Sequence, residues 1–118
     1  MKKIYYLKSC TTCLRIIKSL ELSDDFELQD LKENPLSSTD LTHLKILAGS
    51  YEALFSRRAK RYKEMGLKNE SLEERDYKRY ILDHYTFLKR PVLVVEQQIF
   101  IGNNPKTIAA AKLALPHE

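Results

Sequence analysis

Cysteine is scarce in this sequence: there are two, Cys10 and Cys13, separated by Thr11 and Thr12. Two thiols cannot form the multi-bridge framework that holds a small secreted domain together. A structural zinc is weakly supported on similar grounds, because it needs four ligands and His43, His84 and His117 lack a paired spacing. No apolar run is long enough to cross a bilayer, so no membrane segment is expected. Internal repeats and low-complexity tracts are also missing. Met1-Lys2-Lys3 leads straight into a strand-like segment without the small-residue cleavage site of a signal peptide, which points to the cytoplasm. In that reducing compartment a cysteine pair is usually transient or catalytic.

What remains is ordinary for a globular chain. Its 118 residues correspond to one domain, and 43% hydrophobic with 31% charged residues is enough for a single core. The net charge of +4 is mild, but the excess is local. Arg57, Arg58, Lys60, Arg61 and Lys63 crowd one stretch, and Arg75, Lys78 and Arg79 another. Such clusters suit an anionic ligand or an acidic protein surface, although a solvated helix face is the commoner reason for them. No single-stranded nucleic-acid motif accompanies the seven tyrosines, which fall in strand and helix patterns as core-edge residues, and no direct nucleic-acid contact is expected.

Hydrophobic periodicity orders the elements. Ile4 to Leu7 reads as a buried strand, and Leu14, Ile17 and Leu20 continue at helical spacing. Asp24-Asp25 marks a turn, Phe26 to Gln29 alternates as a second strand, and Asn34-Pro35 breaks the chain. A β-α-β opening of this length implies a parallel pair with a right-handed crossover. Ser37 and Asp40 open a helix that stops at Gly49; one or two short helices run from Tyr51 to Gly66; Ser71 and Glu74 cap another, ending near His84. Arg90-Pro91 then leads into the strand Val92 to Val95, a polar turn Glu96-Gln97-Gln98 and a return strand Ile99 to Ile101. Asn103 or Asn104 caps a last helix with Pro105 in its first turn and Ile108, Ala109, Ala110, Leu113 and Leu115 as its apolar content.

The chemistry concentrates at Cys10-Thr11-Thr12-Cys13. A strand feeding a helix there puts Cys10 at the helix N-terminus, where unpaired N–H groups and the macrodipole favour a thiolate. A redox pair is the main reading, with inert buried thiols or half of a metal site as the alternatives.

This order of elements, with a cysteine motif after the first strand and a proline entering the third, resembles the thioredoxin fold. More narrowly, the chain resembles the arsenate-reductase-like (ArsC) family, which includes the Spx-type regulators. The matching segments are Tyr5 to Cys13, Glu33 to Leu41, Phe55-Ser56-Arg57-Arg58 with Tyr62, and Leu88-Lys89-Arg90-Pro91-Val92 followed by Ile101-Gly102. The resemblance implies an α/β fold with a small mixed sheet flanked by helices, ordered β-α-β, helical insertion, β-β-α. It implies one thioredoxin-like domain over residues 1–118, with the insertion at about 36–88. It also implies a cis bond before Pro91, with the Arg90 backbone placed to approach a bound partner's sulfur.

For the site, the resemblance makes Cys10 the nucleophile, Cys13 the resolving cysteine of an intramolecular disulfide, and Arg90 the arginine preceding the proline. Thr11, Thr12, Arg57, Arg58 and Pro91 are the expected substrate-binding residues, no metal is expected, and Lys8 adds positive potential or points to solvent. Two of the family's oxyanion-holding arginine positions are altered, with Ser56 at one and Gly102 at the other. A guanidinium offers a planar fork to an oxyanion, so arsenate is not the expected substrate. The implied function is a thiol-disulfide reductase with no bound cofactor, its electrons coming from glutathione/glutaredoxin or thioredoxin. The alternative is an Spx-like redox-sensing regulator that binds RNA polymerase.

Overall fold

A computed structural model of the chain describes residues 1–116; His117 therefore lies outside the described residues. The chain divides into two compact units, Met1–Asn34 with Arg90–Glu118, and Pro35–Lys89.

The first unit is built on a four-stranded sheet of order β2-β1-β3-β4, with β1 Lys2–Tyr6, β2 Glu27–Asp30, β3 Val92–Val95 and β4 Gln98–Ile101. β1 runs parallel to β2 and antiparallel to β3, and β3 runs antiparallel to β4, so the sheet is mixed. The β1–β2 connection is helix α1, Thr11–Leu20, and helix α5, Pro105–Ala114, follows β4. This is the thioredoxin-like topology. β1 and β3 are central and buried at Ile4, Tyr5, Val92 and Val94, which is why their sequences read as apolar runs rather than alternating ones. Ile4, Leu93 and Val95 form one core with Ile16 and Leu20 of α1, Phe26, and Ala111 and Leu115 at the chain's end.

Several local expectations shift. The buried stripe of α1 is Cys13, Ile16 and Leu20, at the i, i+3, i+7 spacing of one helix face, so Leu14 lies on the exposed side. Leu113 of α5 is likewise exposed, and Ala111 and Leu115 supply the buried contacts. In β2, Leu28 is exposed while Gln29 and Asp30 are buried, the reverse of an apolar-in alternation. The reversal is tolerated because both polar side chains are bonded: Gln29 Nε2 donates to the Asn34 carbonyl at 2.8 Å, and the Asp30 carboxylate accepts backbone N–H groups. The hairpin turn is two residues, with Glu96 at φ 56°, since Val95 already pairs with Gln98. Asn104 is the cap of α5, its Oδ1 accepting from the Lys106 amide at 2.8 Å, with Pro105 as the first helical residue.

The second unit holds α2 Ser38–Ala48, α3 Lys60–Glu64 and α4 Glu74–Asp83, linked through single 3-10 turns. Ser37 Oγ caps α2 by accepting from the Asp40 amide at 3.0 Å, and Gly49 ends it at φ 95° with its amide on the Lys45 carbonyl. α4 begins two residues later than the Ser71 and Glu74 pattern indicates. Its capping box is Glu73 with Asp76, and Glu74 instead accepts from the amides of Tyr51 and Glu52 at 2.7 and 3.0 Å. Phe55 is the centre of this unit. Its ring stacks on Phe87 at 5.5 Å and meets Tyr77 at 4.9 Å, Tyr62 at 5.9 Å and Tyr80 at 6.5 Å. No helix among the described residues is long and apolar enough to cross a membrane.

Because Phe55 is fully buried and its neighbours are rings that cannot collapse inward freely, Phe55→Ala should cost about 3–5 kcal/mol. Urea unfolding checks the total, and amide exchange should localise the loss to residues 35–89; an effect below about 1 kcal/mol contradicts the assignment.

Candidate redox site

β1 ends at Tyr6, and after four intervening residues the chain starts α1 at Thr11. Cys10 is the N-cap, with extended backbone (φ −96°, ψ 107°). Its carbonyl accepts from the Leu14 amide at 3.1 Å, its own amide donates to the Leu7 carbonyl at 3.1 Å, and its sulfur accepts from the Cys13 amide at 3.4 Å. A sulfur thus occupies the position where Ser, Thr, Asn or Asp normally binds an orphan N–H of the first turn. Cys10 is half-buried, whereas Cys13 is only 1% exposed, and both thiols are free.

The two sulfurs differ in acidity for identifiable reasons. Burial pushes the Cys10 thiol up, but the Cys13 amide, the Cys13 thiol, the Arg90 guanidinium and the Thr12 amide together bring it below the ordinary value. Cys13 is pushed up to about 11: burial dominates, and the neighbouring Cys10 sulfur adds to it, while the Leu7 backbone and Arg90 oppose. The Cys10 thiol therefore ionises more readily than an ordinary one and the Cys13 thiol less readily.

The sequence-predicted residues distribute unevenly. Cys10, Thr11, Thr12, Cys13, Arg90 and Pro91 all belong to the first unit. Arg90 acts on both thiols, Pro91 is buried, and the Arg90–Pro91 bond is cis. Thr11 is exposed and Thr12 contributes through its backbone. Gly102 closes the far end of the β3–β4 pair by donating its amide to the Pro91 carbonyl at 2.9 Å, at φ 89°. Arg57 and Arg58 belong to the second unit. There Arg57 donates to Glu52 Oε2 at 2.7 Å and to the Tyr77 hydroxyl at 2.9 Å, while the side chain of Arg58 is exposed. Lys8 pairs with Glu33 at 3.3 Å, which raises its pKa and offsets its charge. Among the described residues no group of three or more His, Cys, Asp or Glu side chains is arranged to hold a metal ion.

A mixed thioredoxin-like sheet with a thiol pair at the start of α1 defines a CxxC-bearing thioredoxin-fold protein. The ArsC family model matches residues 5–111, and the chain belongs to the ArsC family. Over 110 residues it is 26% identical to the global transcriptional regulator Spx of Bacillus subtilis, covering 92% of this chain and 84% of that one. Over 112 residues it is 27% identical to the global transcriptional regulator Spx 2 of Lactococcus lactis, covering 93% and 85%. Among solved structures, the arsenate reductase of Vibrio cholerae superposes with a TM-score of 0.77 at 20% identity, covering 93% of this chain and 96% of that one, a likeness of fold.

The acidity difference has a direct readout. Alkylation of the reduced protein by iodoacetamide at pH 7 should modify Cys10 and leave Cys13 intact, and Arg90→Gln should move the Cys10 midpoint upward. Modification of both thiols at equal rates contradicts the assignment. Stability follows with a definite sign. From the ordinary thiol range up to about 11, the unfolded chain ionises Cys13 and the folded chain does not, so stability falls as pH rises through that window. Urea titrations across it should show the loss, and Cys13→Ala should remove that slope.

Proposed function

We propose that the protein is a thiol-disulfide reductase in which Cys10 is the nucleophile and Cys13 the resolving cysteine. The observation that carries this reading is the paired asymmetry: a half-buried Cys10 lowered by the first turn of α1 and by Arg90, beside a buried Cys13 raised to about 11. In the first step the Cys10 thiolate attacks one sulfur of a substrate disulfide. A Cys10–substrate S–S bond forms, the substrate S–S bond breaks, and the departing thiolate takes a proton. Cys13 then gives up its proton and attacks the Cys10 sulfur. The Cys10–Cys13 bond forms, the second substrate thiol leaves, and the substrate has gained two electrons while the pair has lost two.

An external thiol system, glutathione with glutaredoxin or thioredoxin, restores the dithiol in this reading. Arg90 holds negative charge beside the thiolate, and Thr11, Thr12 and Pro91 form the edge against which a partner sulfur lies. Arsenate fits poorly. Arg57 is already engaged by Glu52 and Tyr77, and Gly102 carries no donor side chain.

A second reading is favoured by the curated relatives, which are Spx regulators. In it the same disulfide is a switch and the partner is RNA polymerase.

NADPH-coupled turnover separates the two, with arsenate and with a small disulfide, each supplied with glutathione/glutaredoxin or with thioredoxin and its reductase. We expect disulfide turnover that Cys10→Ser abolishes and that Cys13→Ser converts to a trapped mixed disulfide. Equal activity in both variants defeats the reductase reading. Absence of turnover together with polymerase retention that differs between oxidised and reduced protein establishes the regulator instead.

A further inference from the structure

We propose that Asp30 is the positioning residue of the reactive loop, fixing the peptide group that holds Cys10 in its helix-capping place; the inference deepens the thiol-redox reading above. Asp30 ends β2 opposite Tyr6 of β1 and is 9% exposed. A carboxylate so enclosed needs donors, and two backbone N–H groups supply them. Lys8 donates to Oδ1 at 2.9 Å and Glu33 donates to Oδ2 at 3.3 Å. The two loops leaving the sheet side by side are thereby tied to one side chain. A main-chain bond from the Leu31 amide to the Tyr6 carbonyl at 2.9 Å and the Lys8–Glu33 ion pair run alongside.

The consequence for Cys10 comes through a single planar unit. The Lys8 N–H that Asp30 accepts and the Leu7 C=O that accepts the Cys10 N–H at 3.1 Å belong to the same peptide group. Because that group is rigid, fixing its N–H end fixes the direction of its carbonyl. The carbonyl in turn holds the Cys10 amide, and with it the extended backbone that aims the Cys10 sulfur at the Cys13 amide. Hydrogen bonds to an ionised acceptor are roughly twice as strong as neutral ones, so a carboxylate suits this clamp. It also accepts at both oxygens, whereas an asparagine there would turn an NH2 group toward one of the two donors.

Asp30 touches neither sulfur. The charged and titratable groups that chiefly set the state of Cys10 are Cys13 on α1 and Arg90 before β3. Asp30 therefore acts through geometry, and its removal should move Cys10 toward an ordinary, unassisted thiol.

The test is the pH profile of Cys10 alkylation in the reduced full chain, measured in wild type, Asp30→Ala and Asp30→Asn, with urea unfolding and amide exchange on the same samples. In Asp30→Ala the midpoint should rise by about half a unit or more, a fall of roughly threefold in rate at pH 7. Asp30→Asn should fall between it and wild type, and the Lys8 amide should be protected in wild type and exchange faster in Asp30→Ala. A folded Asp30→Ala with lower stability and an unchanged Cys10 profile makes the residue merely structural and overturns the proposal. An unprotected Lys8 amide in wild type overturns it as well. If Asp30→Ala does not fold, Asp30→Asn decides: slower alkylation supports the clamp and the wild-type rate defeats it. None of these readings uses turnover. A protein that reduces nothing but shows the Asp30 effect defeats the reductase reading alone, and active protein without the effect defeats only the clamp.

Discussion

The contact between the Cys13 amide and the Cys10 sulfur joins structure and chemistry in one bond. As a helix cap it satisfies a donor that α1 cannot satisfy internally; as an electrostatic contact it favours negative charge on the sulfur. An oxygen cap would do the first task better, since sulfur is a weak acceptor while protonated. The cap strengthens when Cys10 ionises, so the helix start and the thiolate stabilise each other. Whatever stabilises the thiolate stabilises the reduced pair relative to the disulfide, and this raises the reduction potential. The same three-residue spacing that closes the cap also puts the second thiol within reach of the first.

The asymmetry of the pair follows from position along the helix. Cys10 stands outside α1 where the chain leaves the sheet, and Cys13 lies one turn in, on the face that carries Ile16 and Leu20 into the core. A helix running back over a sheet must bury one stripe, so the fourth residue of the motif becomes inaccessible and the first does not. Desolvation raises both thiols, but on Cys10 the amides, the Cys13 thiol and Arg90 together outweigh it, whereas on Cys13 it prevails. No separate device is needed to make the two sulfurs differ in acidity.

Much of this was legible in the residues themselves. The apolar runs at Ile4 and Val92, the Ser37, Gly49 and Asn104 boundaries and the cysteine spacing each carry a local physical signal, and each element lies where that signal indicates. The departures occurred where tertiary contacts reverse a local rule. Leu14 and Leu113 are apolar but lie off the buried stripes of their helices. Asp30 was missed for the same reason. An acidic residue at a strand end reads as a turn signal, and only the meeting of the Lys8 and Glu33 amides on it shows that its carboxylate is an anchor.

Arg57 and Arg90 illustrate why charge alone is a poor guide to function. Both are arginines in segments matching the family pattern. Arg57 donates to Glu52 and Tyr77, with its guanidinium 5.5 Å from the Tyr77 ring centroid, so its charge is countered within its own unit. Glu52 is correspondingly lowered, first by its bond from Arg57 and then by Tyr77. An incoming oxyanion would have to break a charge-assisted pair before gaining one, and the exchange returns little. Arg90 instead acts downward on both thiols of the CxxC pair, although burial leaves Cys13 raised. What the chain arranges most fully is a polarised sulfur pair, whereas the charge of Arg57 is spent within its own unit.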